Sequence, residues 1–154
     1  MLEDDRRRDA SEPRAAPTDG IRMDDLHPRV QAAGSSLYRD GQFASAILDG
    51  CMALEELIRA STGLALAGTQ LMDAALGGQS PRLSVAVEPG VSGRNEQRGF
   101  HSLTVGLMLA VRNPKAHLIV DQRDPVRTFE YLAFTSILMH RIDAATAAPE
   151  GRTL

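Results

Sequence analysis

Two segments of the chain are apolar around the whole helix axis, and this pattern limits the possible folds more than any other feature of the sequence. Apolar residues follow one another with hardly a break between Leu103 and Val111, and seven large apolar residues lie between Phe129 and Ile142. A helix without a polar face must be buried on all sides. A bundle this small has few fully central positions, so we predict a homodimer formed through helices 95–112 and 125–147. Alternatively, large neighbouring side chains of the same chain cover both helices.

From Leu26 onward the sequence shows helical periodicity with clear stop signals, such as Asp40-Gly41 and Gly63. Aromatic residues make up only 4% of the chain and Trp is absent, so the core must consist mainly of aliphatic side chains and Met. Such a composition favours helices over sheets. The predicted fold is an all-α helical bundle of four to five helices. The predicted helices span residues 28–40, 42–62, 69–76, 95–112 and 124–147.

Residues 77–95 interrupt the helical pattern. They hold four glycines and two prolines around the alternating segment 83–87, Leu-Ser-Val-Ala-Val. This alternation predicts a short strand or β-hairpin, while the glycines and prolines also allow an irregular, mobile flap. The bundle is therefore expected to contain one short irregular or β-hairpin insert.

The charges separate the chain into a tail and a body. Residues 1–25 carry eight of the 20 acidic and five of the 17 basic side chains, and they show no apolar period. We predict a disordered tail over 1–25, a helical domain over 26–147 and a disordered C-terminus over 148–154. The body holds twelve charges of each sign, which counts against a protein that coats nucleic acid electrostatically. Residues 94–127 nevertheless carry six basic and three acidic side chains, a local excess that suits an anionic substrate.

The cysteine content and the N-terminus indicate a cytoplasmic protein. Cys51 is the only cysteine, so no intrachain disulfide can form, and its place in an apolar helical pattern predicts a core thiol. The N-terminus lacks the apolar segment of a secretory signal. The longest apolar runs are too short to span a bilayer, so no membrane association is predicted.

The six residues 112–117, Arg-Asn-Pro-Lys-Ala-His, combine more functional groups than any other short segment of the chain. Pro114 disfavours helical geometry at the preceding residue, so the long helix should end or kink at Asn113. In an unbroken helix Arg112 and His117 would diverge by about 140°, whereas a kink can bring both together with Asn113. Lys115 is either a phosphate contact beside them or an ordinary exposed loop lysine.

These side chains suit cleavage of a phosphodiester in RNA. The neutral imidazole of His117 can take the proton of the ribose 2′-OH, because imidazole titrates near neutral pH. Arg112 can bind two phosphate oxygens and stabilise the charge that develops in the transition state. Asn113 can orient the phosphate or the imidazole. The four histidines are scattered without a carboxylate cluster, so neither a metal site nor any other cofactor is predicted.

The same segment also has a structural interpretation. A basic residue at a helix C-terminus interacts favourably with the helix dipole, and a histidine there can bond to the backbone. His27 has an equally ordinary explanation, because it precedes Pro28 at a helix start and can cap that helix.

Helix 42–62 carries the adjacent carboxylates Glu55 and Glu56. Glu55 and Arg59 are four residues apart, which predicts an ion pair on the surface of the helix. For Glu56 the sequence leaves open whether the side chain is exposed or supports the site by orienting His117 or Arg112.

Several motifs together resemble the Ymh family and, more broadly, the HEPN superfamily, whose signature is an Arg, a short spacer and a His. The resemblance covers about residues 26–145. It is carried by Leu26-His27-Pro28, residues 41–46 (Gly-Gln-Phe-Ala-Ser-Ala), Leu54-Glu55-Glu56, Leu71-Met72-Asp73, and Gly106-x-Met108-x-x-x-Arg112-Asn113-Pro114-x-Ala116-His117.

The resemblance implies a dimeric, metal-independent endoribonuclease that belongs to a bacterial defence or toxin system. Arg112, Asn113 and His117 would be the catalytic residues, and cleavage would pass through a 2′,3′-cyclic phosphate. A two-fold axis beside the motif would supply a second histidine, so that one acts as base and the other as acid. An antitoxin or another protein of the same system is an expected partner. The alternatives are a non-catalytic module that binds a nucleotide or a partner protein and regulates a defence complex, and a purely structural helical dimer.

Overall fold

The computed structural model describes residues 20–113 and 122–146, and nearly all of the secondary structure in these ranges is α-helical. The five helices are α1 (Pro28–Arg39), α2 (Phe43–Thr62), α3 (Gly68–Leu76), α4 (Gly90–Leu107) and α5 (Pro125–Thr146). A 3-10 turn, Met23–Asp25, precedes α1, and a π-helical turn, Met108–Arg112, directly extends α4. The described ranges contain no strand, which confirms the prediction of an all-α bundle.

The helical domain begins slightly earlier than predicted. Residues 1–19 of the predicted N-terminal tail and residues 148–154 lie outside the described ranges. Within residues 20–25, however, the backbone N–H of Arg22 donates to Asp25 Oδ2 at 2.9 Å and the backbone N–H of Asp25 donates to the Arg22 carbonyl at 2.9 Å. The first bond caps the 3-10 turn that leads into α1, and the second is one of its backbone bonds.

His27 caps α1 and ties it to α5. Its Nδ1 accepts a hydrogen bond from the backbone N–H of Arg29 at 3.1 Å, so the ring proton lies on Nε2 and is donated to Asp143 Oδ2 at 2.7 Å. The backbone N–H of His27 also donates to Ser136 Oγ at 2.8 Å. The capping interpretation of His27 is thereby confirmed, and the imidazole takes part in structure.

Helix α2 is the centre of the bundle, since it packs against α1, α3, α5 and the π-helical turn. Gly50 on α2 brings Leu132 of α5 close, because a β-carbon at position 50 would lie 3.0 Å from the Leu132 side chain. Cys51 is buried in this core, and burial raises the pKa of its thiol to about 12, with a smaller contribution from the nearby Glu55 carboxylate. The thiol therefore stays protonated at neutral pH, as expected for a core cysteine.

The insert between α3 and α4 is irregular and is held by a side chain in place of a strand partner. Gln97 of α4 is buried, and its Nε2 donates to the carbonyls of Leu76 and Leu83, both at 2.9 Å. Its Oε1 accepts the backbone N–H of Val85 at 2.8 Å. Leu83 and Val85 are buried, but Ala86 is buried as well and Val87 is exposed, so burial does not follow the alternation. The N–H groups of Leu83 and Val87 donate to the Ala75 carbonyl and to Glu96 Oε2 rather than to a second strand.

Helix α4 starts at Gly90, about one turn before the predicted Asn95. At Gly93 the insert passes so close that a β-carbon would lie 1.8 Å from the Glu88 carbonyl oxygen. The sequence is misleading here because glycines usually break helices, whereas Gly93 allows the helix to pass under the insert.

The two segments without a polar face retain exposed apolar side chains. Leu103 and Leu109 are 44% and 55% exposed, and Ile137 on α5 is 59% exposed. Gly99 and Gly106 on α4 also have no heavy atom within 4 Å of a β-carbon position. In the part of the chain that the structure describes, no helix is both long enough and apolar enough to cross a membrane.

Candidate active site

The end of α4 is shaped by the π-helical turn. The backbone N–H of Asn113 donates to the carbonyl of Met108 at 3.0 Å, a bond five residues back along the chain, as in a π-helix. Asn113 itself has φ −62° and ψ 120°, which is extended backbone. The prediction that the helix ends at Asn113 is confirmed, and turns of this kind occur frequently at functional sites.

Arg112, the last residue of the turn, forms an ion pair with Glu55 of α2. Arg112 Nε lies 3.3 Å from Glu55 Oε1, and Nη2 donates to Oε2 at 3.4 Å. The two nitrogens thus face the two carboxylate oxygens in the bidentate arrangement that Arg favours. The carboxylate side chain is only 2% exposed, while that of Arg112 is 34% exposed. One side of the guanidinium is therefore fixed against the core while part of the group remains accessible.

The same carboxylate also holds the start of α3. Glu55 Oε1 accepts the backbone N–H of Gly68 at 2.6 Å, and Oε2 lies 3.8 Å from Arg59 Nη1. Arg59 Nη1 in turn donates to the carbonyl of Leu66 at 3.3 Å. Glu55 thus connects α2, the first residue of α3 and the end of the π-helical turn.

These contacts correct the interpretation of the two carboxylates. Glu55 was expected to form a surface pair with Arg59, but its side chain is buried and its shortest side-chain contacts are with Arg112. Glu56, which the sequence left as a possible supporting residue, is exposed, and the structure does not bring it to Arg112. The buried position of Glu55 could have been found from the sequence, because it lies four residues after Cys51 and three before Ile58 on the apolar face of α2.

A pocket of about 330 Å³ opens beside Arg112. The π-helical turn and Asn113 form one wall, and the start of α3 forms the other. Its lining residues are Ala67, Gly68, Thr69, Gln70, Met108, Leu109, Arg112 and Asn113. The first N–H groups of a helix have no acceptor within the helix, and this end of the helix dipole is positive. A cation, an amide and the N-terminus of α3, whose first N–H donates to Glu55, therefore face one cavity, an arrangement that suits a phosphate group. We call it the Arg112 pocket.

Two predicted site residues, Lys115 and His117, lie outside the described residues. The structure brings Arg112 and Asn113 to one pocket, and the positions of the other two remain predictions. His101, which the sequence placed inside the fourth helix, makes a 2.7 Å contact between its Nε2 and Asp73 Oδ1 of α3. Within the described residues, no group of three or more His, Cys, Asp or Glu side chains could hold a metal ion.

The fold and the pocket define a small all-α protein with an Arg-Asn pair at the end of a long helix, anchored by a buried carboxylate. Residues 24–142 match the family model described as "Protein of unknown function (Hypoth_ymh)", and the chain belongs to this Hypoth_Ymh family. No curated protein and no solved structure matches the chain.

Proposed function

We propose that this chain is a HEPN-type, metal-independent endoribonuclease of a bacterial defence or toxin system. The observation that carries the proposal is the position of Arg112, which a buried carboxylate orients at the mouth of a cavity that also contains Asn113 and the first turn of α3. Pre-oriented donors of this kind are the main source of catalysis when negative charge develops on a phosphate.

In the proposed reaction His117 takes the proton from the ribose 2′-OH, and the resulting oxygen nucleophile attacks the adjacent phosphorus. The bond from phosphorus to the 5′-oxygen breaks, which leaves a 2′,3′-cyclic phosphate on one product and a 5′-hydroxyl on the other. Arg112 stabilises the non-bridging oxygens, and Asn113 positions the phosphate. Lys115 is a further phosphate contact. No step in this scheme requires a metal ion.

A ribonuclease assay in excess EDTA tests this function. We expect the wild-type protein to cleave a labelled RNA mixture under these conditions and to leave 2′,3′-cyclic phosphate ends. If a folded, dimeric preparation produced no cleavage, or only 3′-hydroxyl ends, the proposed reaction would be wrong.

The proposed enzyme is a homodimer formed through α4 and α5. The exposed Leu103, Leu109 and Ile137 give these helices an apolar surface. Gly99 and Gly106 support the same arrangement, since a glycine inside a helix is destabilising relative to alanine unless something requires its small size. Close approach of a second helix is such a requirement. Because α4 leads directly into Arg112, an α4-mediated dimer brings two copies of the motif toward one axis and supplies the second histidine.

Leu103→Glu is expected to convert the dimer into a monomer, because it places a charge in the apolar contact. Met52→Glu is the matched control, since Met52 is an exposed apolar residue on α2, outside the proposed interface. Sedimentation equilibrium should give twice the chain mass of 16.6 kDa for the wild type and for Met52→Glu, and 16.6 kDa for Leu103→Glu. A wild-type protein that sediments as a monomer at micromolar concentration would contradict the proposed dimer.

A non-catalytic module that binds a nucleotide or a partner protein is the second candidate. The equal numbers of acidic and basic residues after position 25 favour it, because a broad electrostatic footprint for RNA is missing. Such a module would bind without cleaving, and its activity in cells would not depend on an imidazole at position 117.

A further inference from the structure

A second pocket lies at the opposite end of the α3–α4 pair and is lined by arginine. It measures about 270 Å³ and is formed by the N-terminal half of α4 together with Gly78 and Gln79, which follow α3. The side chains that give it its character are Arg94, Arg98 and Asn95. We call it the Arg94–Arg98 pocket.

Among the residues that the structure describes, no carboxylate compensates the charge of this pocket. No carboxylate lines the cavity, and neither guanidinium contacts a carboxylate in the described ranges. Glu96, which lies between the two arginines in sequence, pairs with Arg141 of α5 instead. Two like charges four residues apart on a helix repel each other. Both side chains are exposed, so this repulsion is modest, and a bound anion would offset it.

The walls of the pocket are built before any ligand arrives. Gln97 lines the cavity but is itself buried, and its three hydrogen bonds to Leu76, Leu83 and Val85 fix the insert against α4. Helix α4 fixes the backbone of Arg94 and Arg98, whose side chains are exposed. A ligand therefore meets a preformed backbone wall and has to order only the two arginine side chains.

The two pockets lie at the two ends of one helix pair. The Arg112 pocket contains the first residues of α3, while the Arg94–Arg98 pocket contains the residues just after its end. At about 1.5 Å per residue, the length of α4 between them corresponds to a distance on the order of 20 Å. The His101–Asp73 contact lies between them, so the carboxylate of Asp73 already has an imidazole partner.

We propose that the Arg94–Arg98 pocket binds a phosphate group, and that this phosphate belongs to the RNA strand whose reacting phosphate occupies the Arg112 pocket. The assignment to the RNA strand rests on the proposed ribonuclease function. A free nucleotide offers the same phosphate chemistry and is the other source that an experiment has to distinguish. In the strand-bound form, the second pocket aligns the RNA along α3 and α4 and adds affinity for substrates that are long enough to reach it.

Binding of a labelled single strand tests the pocket without relying on cleavage. The probe is a fluorescein-labelled 2′-O-methyl RNA of about twelve nucleotides, which lacks the attacking hydroxyl and falls within typical single-strand site sizes. The variant Arg94→Gln/Arg98→Gln removes two charges from the pocket. The variant Arg29→Gln/Arg39→Gln removes two exposed charges from α1, which packs against α2 and α5. Affinity is measured by fluorescence anisotropy in about 50 to 200 mM salt, and circular dichroism confirms that both variants are folded.

We expect the pocket variant to bind the strand about tenfold more weakly at the lower salt concentration. The slope of log K against log salt should become shallower by about 0.7, because the pocket holds one phosphate and each neutralised phosphate contributes about 0.7 for a single strand. The α1 variant should retain the wild-type slope. Equal affinities and slopes in the two variants would overturn the proposal.

Two further measurements are needed. One distinguishes a phosphate of the RNA strand from a free nucleotide, and the other distinguishes the pocket proposal from the ribonuclease proposal. If AMP bound the wild type but not the pocket variant, while strand binding was equal in both, the site would belong to a free nucleotide and the strand assignment would be overturned. Cleavage of a dinucleotide, which is too short to reach the second pocket, should be the same in the wild type and the pocket variant. The anisotropy result stands even if the wild type cleaves nothing, so failure of the ribonuclease proposal and failure of the pocket proposal remain distinguishable.

Discussion

His117→Ala is expected to slow RNA cleavage by about a thousandfold, because it removes the only general base assigned to the reaction. The loss should appear in kcat more than in KM, since Arg112, Asn113 and the first turn of α3 still bind the phosphate. The measurement is single-turnover cleavage of a labelled RNA in excess EDTA.

His140→Ala provides the matched control for the loss of an imidazole. His140 is exposed on α5, and its ring contacts His27 at a centroid distance of 4.8 Å, in the His27 cap region rather than in the Arg112 pocket. The rate should remain nearly unchanged in this variant. Equal rates for wild type and His117→Ala would show that the cleavage does not use the imidazole and would remove His117 from the site.

Arg112→Ala is expected to lower the free energy of unfolding by about 3 kcal/mol, because it leaves the buried carboxylate of Glu55 without its main cation. The value lies at the lower end of the range for a broken buried ion pair. Arg112 is partly exposed, and Glu55 keeps the N–H of Gly68 and its longer contact with Arg59. Urea denaturation followed by circular dichroism measures the change.

The double variant Glu55→Gln/Arg112→Ala should regain roughly 1 kcal/mol relative to Arg112→Ala, because a neutral amide costs less to bury than an unpaired carboxylate. Arg127→Ala is the control, since the Arg127–Glu130 pair is exposed and such pairs contribute little. If the Arg112→Ala variant were as stable as the Arg127→Ala variant, the role assigned to Glu55 would be wrong. Because Arg112 affects both folding and the proposed reaction, its effect on cleavage has to be measured where the variant is fully folded.

The sequence predicted α1, α2 and α3 well because each of them carries an apolar period and a local stop signal. Gly63 is typical: it ends α2 with φ 72°, a conformation that glycine adopts without strain. The end of the long helix at Asn113, after the π-helical turn, was equally predictable, because Pro114 restricts the backbone of the residue before it. Such features depend on neighbours in the sequence and need no knowledge of tertiary contacts.

Two side chains escaped prediction because their roles depend on residues far away in the sequence. Glu55 and Arg112 are 57 positions apart, and a pattern of charges four residues apart pointed to Arg59 instead. Gln97 lies within the predicted helix 95–112, and the sequence did not indicate that it replaces a strand partner for the insert. In both cases a polar group on a buried helix face was the available signal, since a buried polar group needs a partner.

The π-helical turn at Met108–Arg112 changes the helical register at the end of the long helix. A π-turn contains more residues than an α-turn, so side chains after it are rotated relative to the pattern set by the residues before it. Helix α4 packs against α3, whereas the π-helical turn packs against both α2 and α3. The side chains that pack α4 against α3 therefore follow one helical register, and the side chain of Arg112 follows another. Substitutions on the exposed face of α4 can therefore change which protein surface this helix binds, while the orientation of Arg112 is preserved.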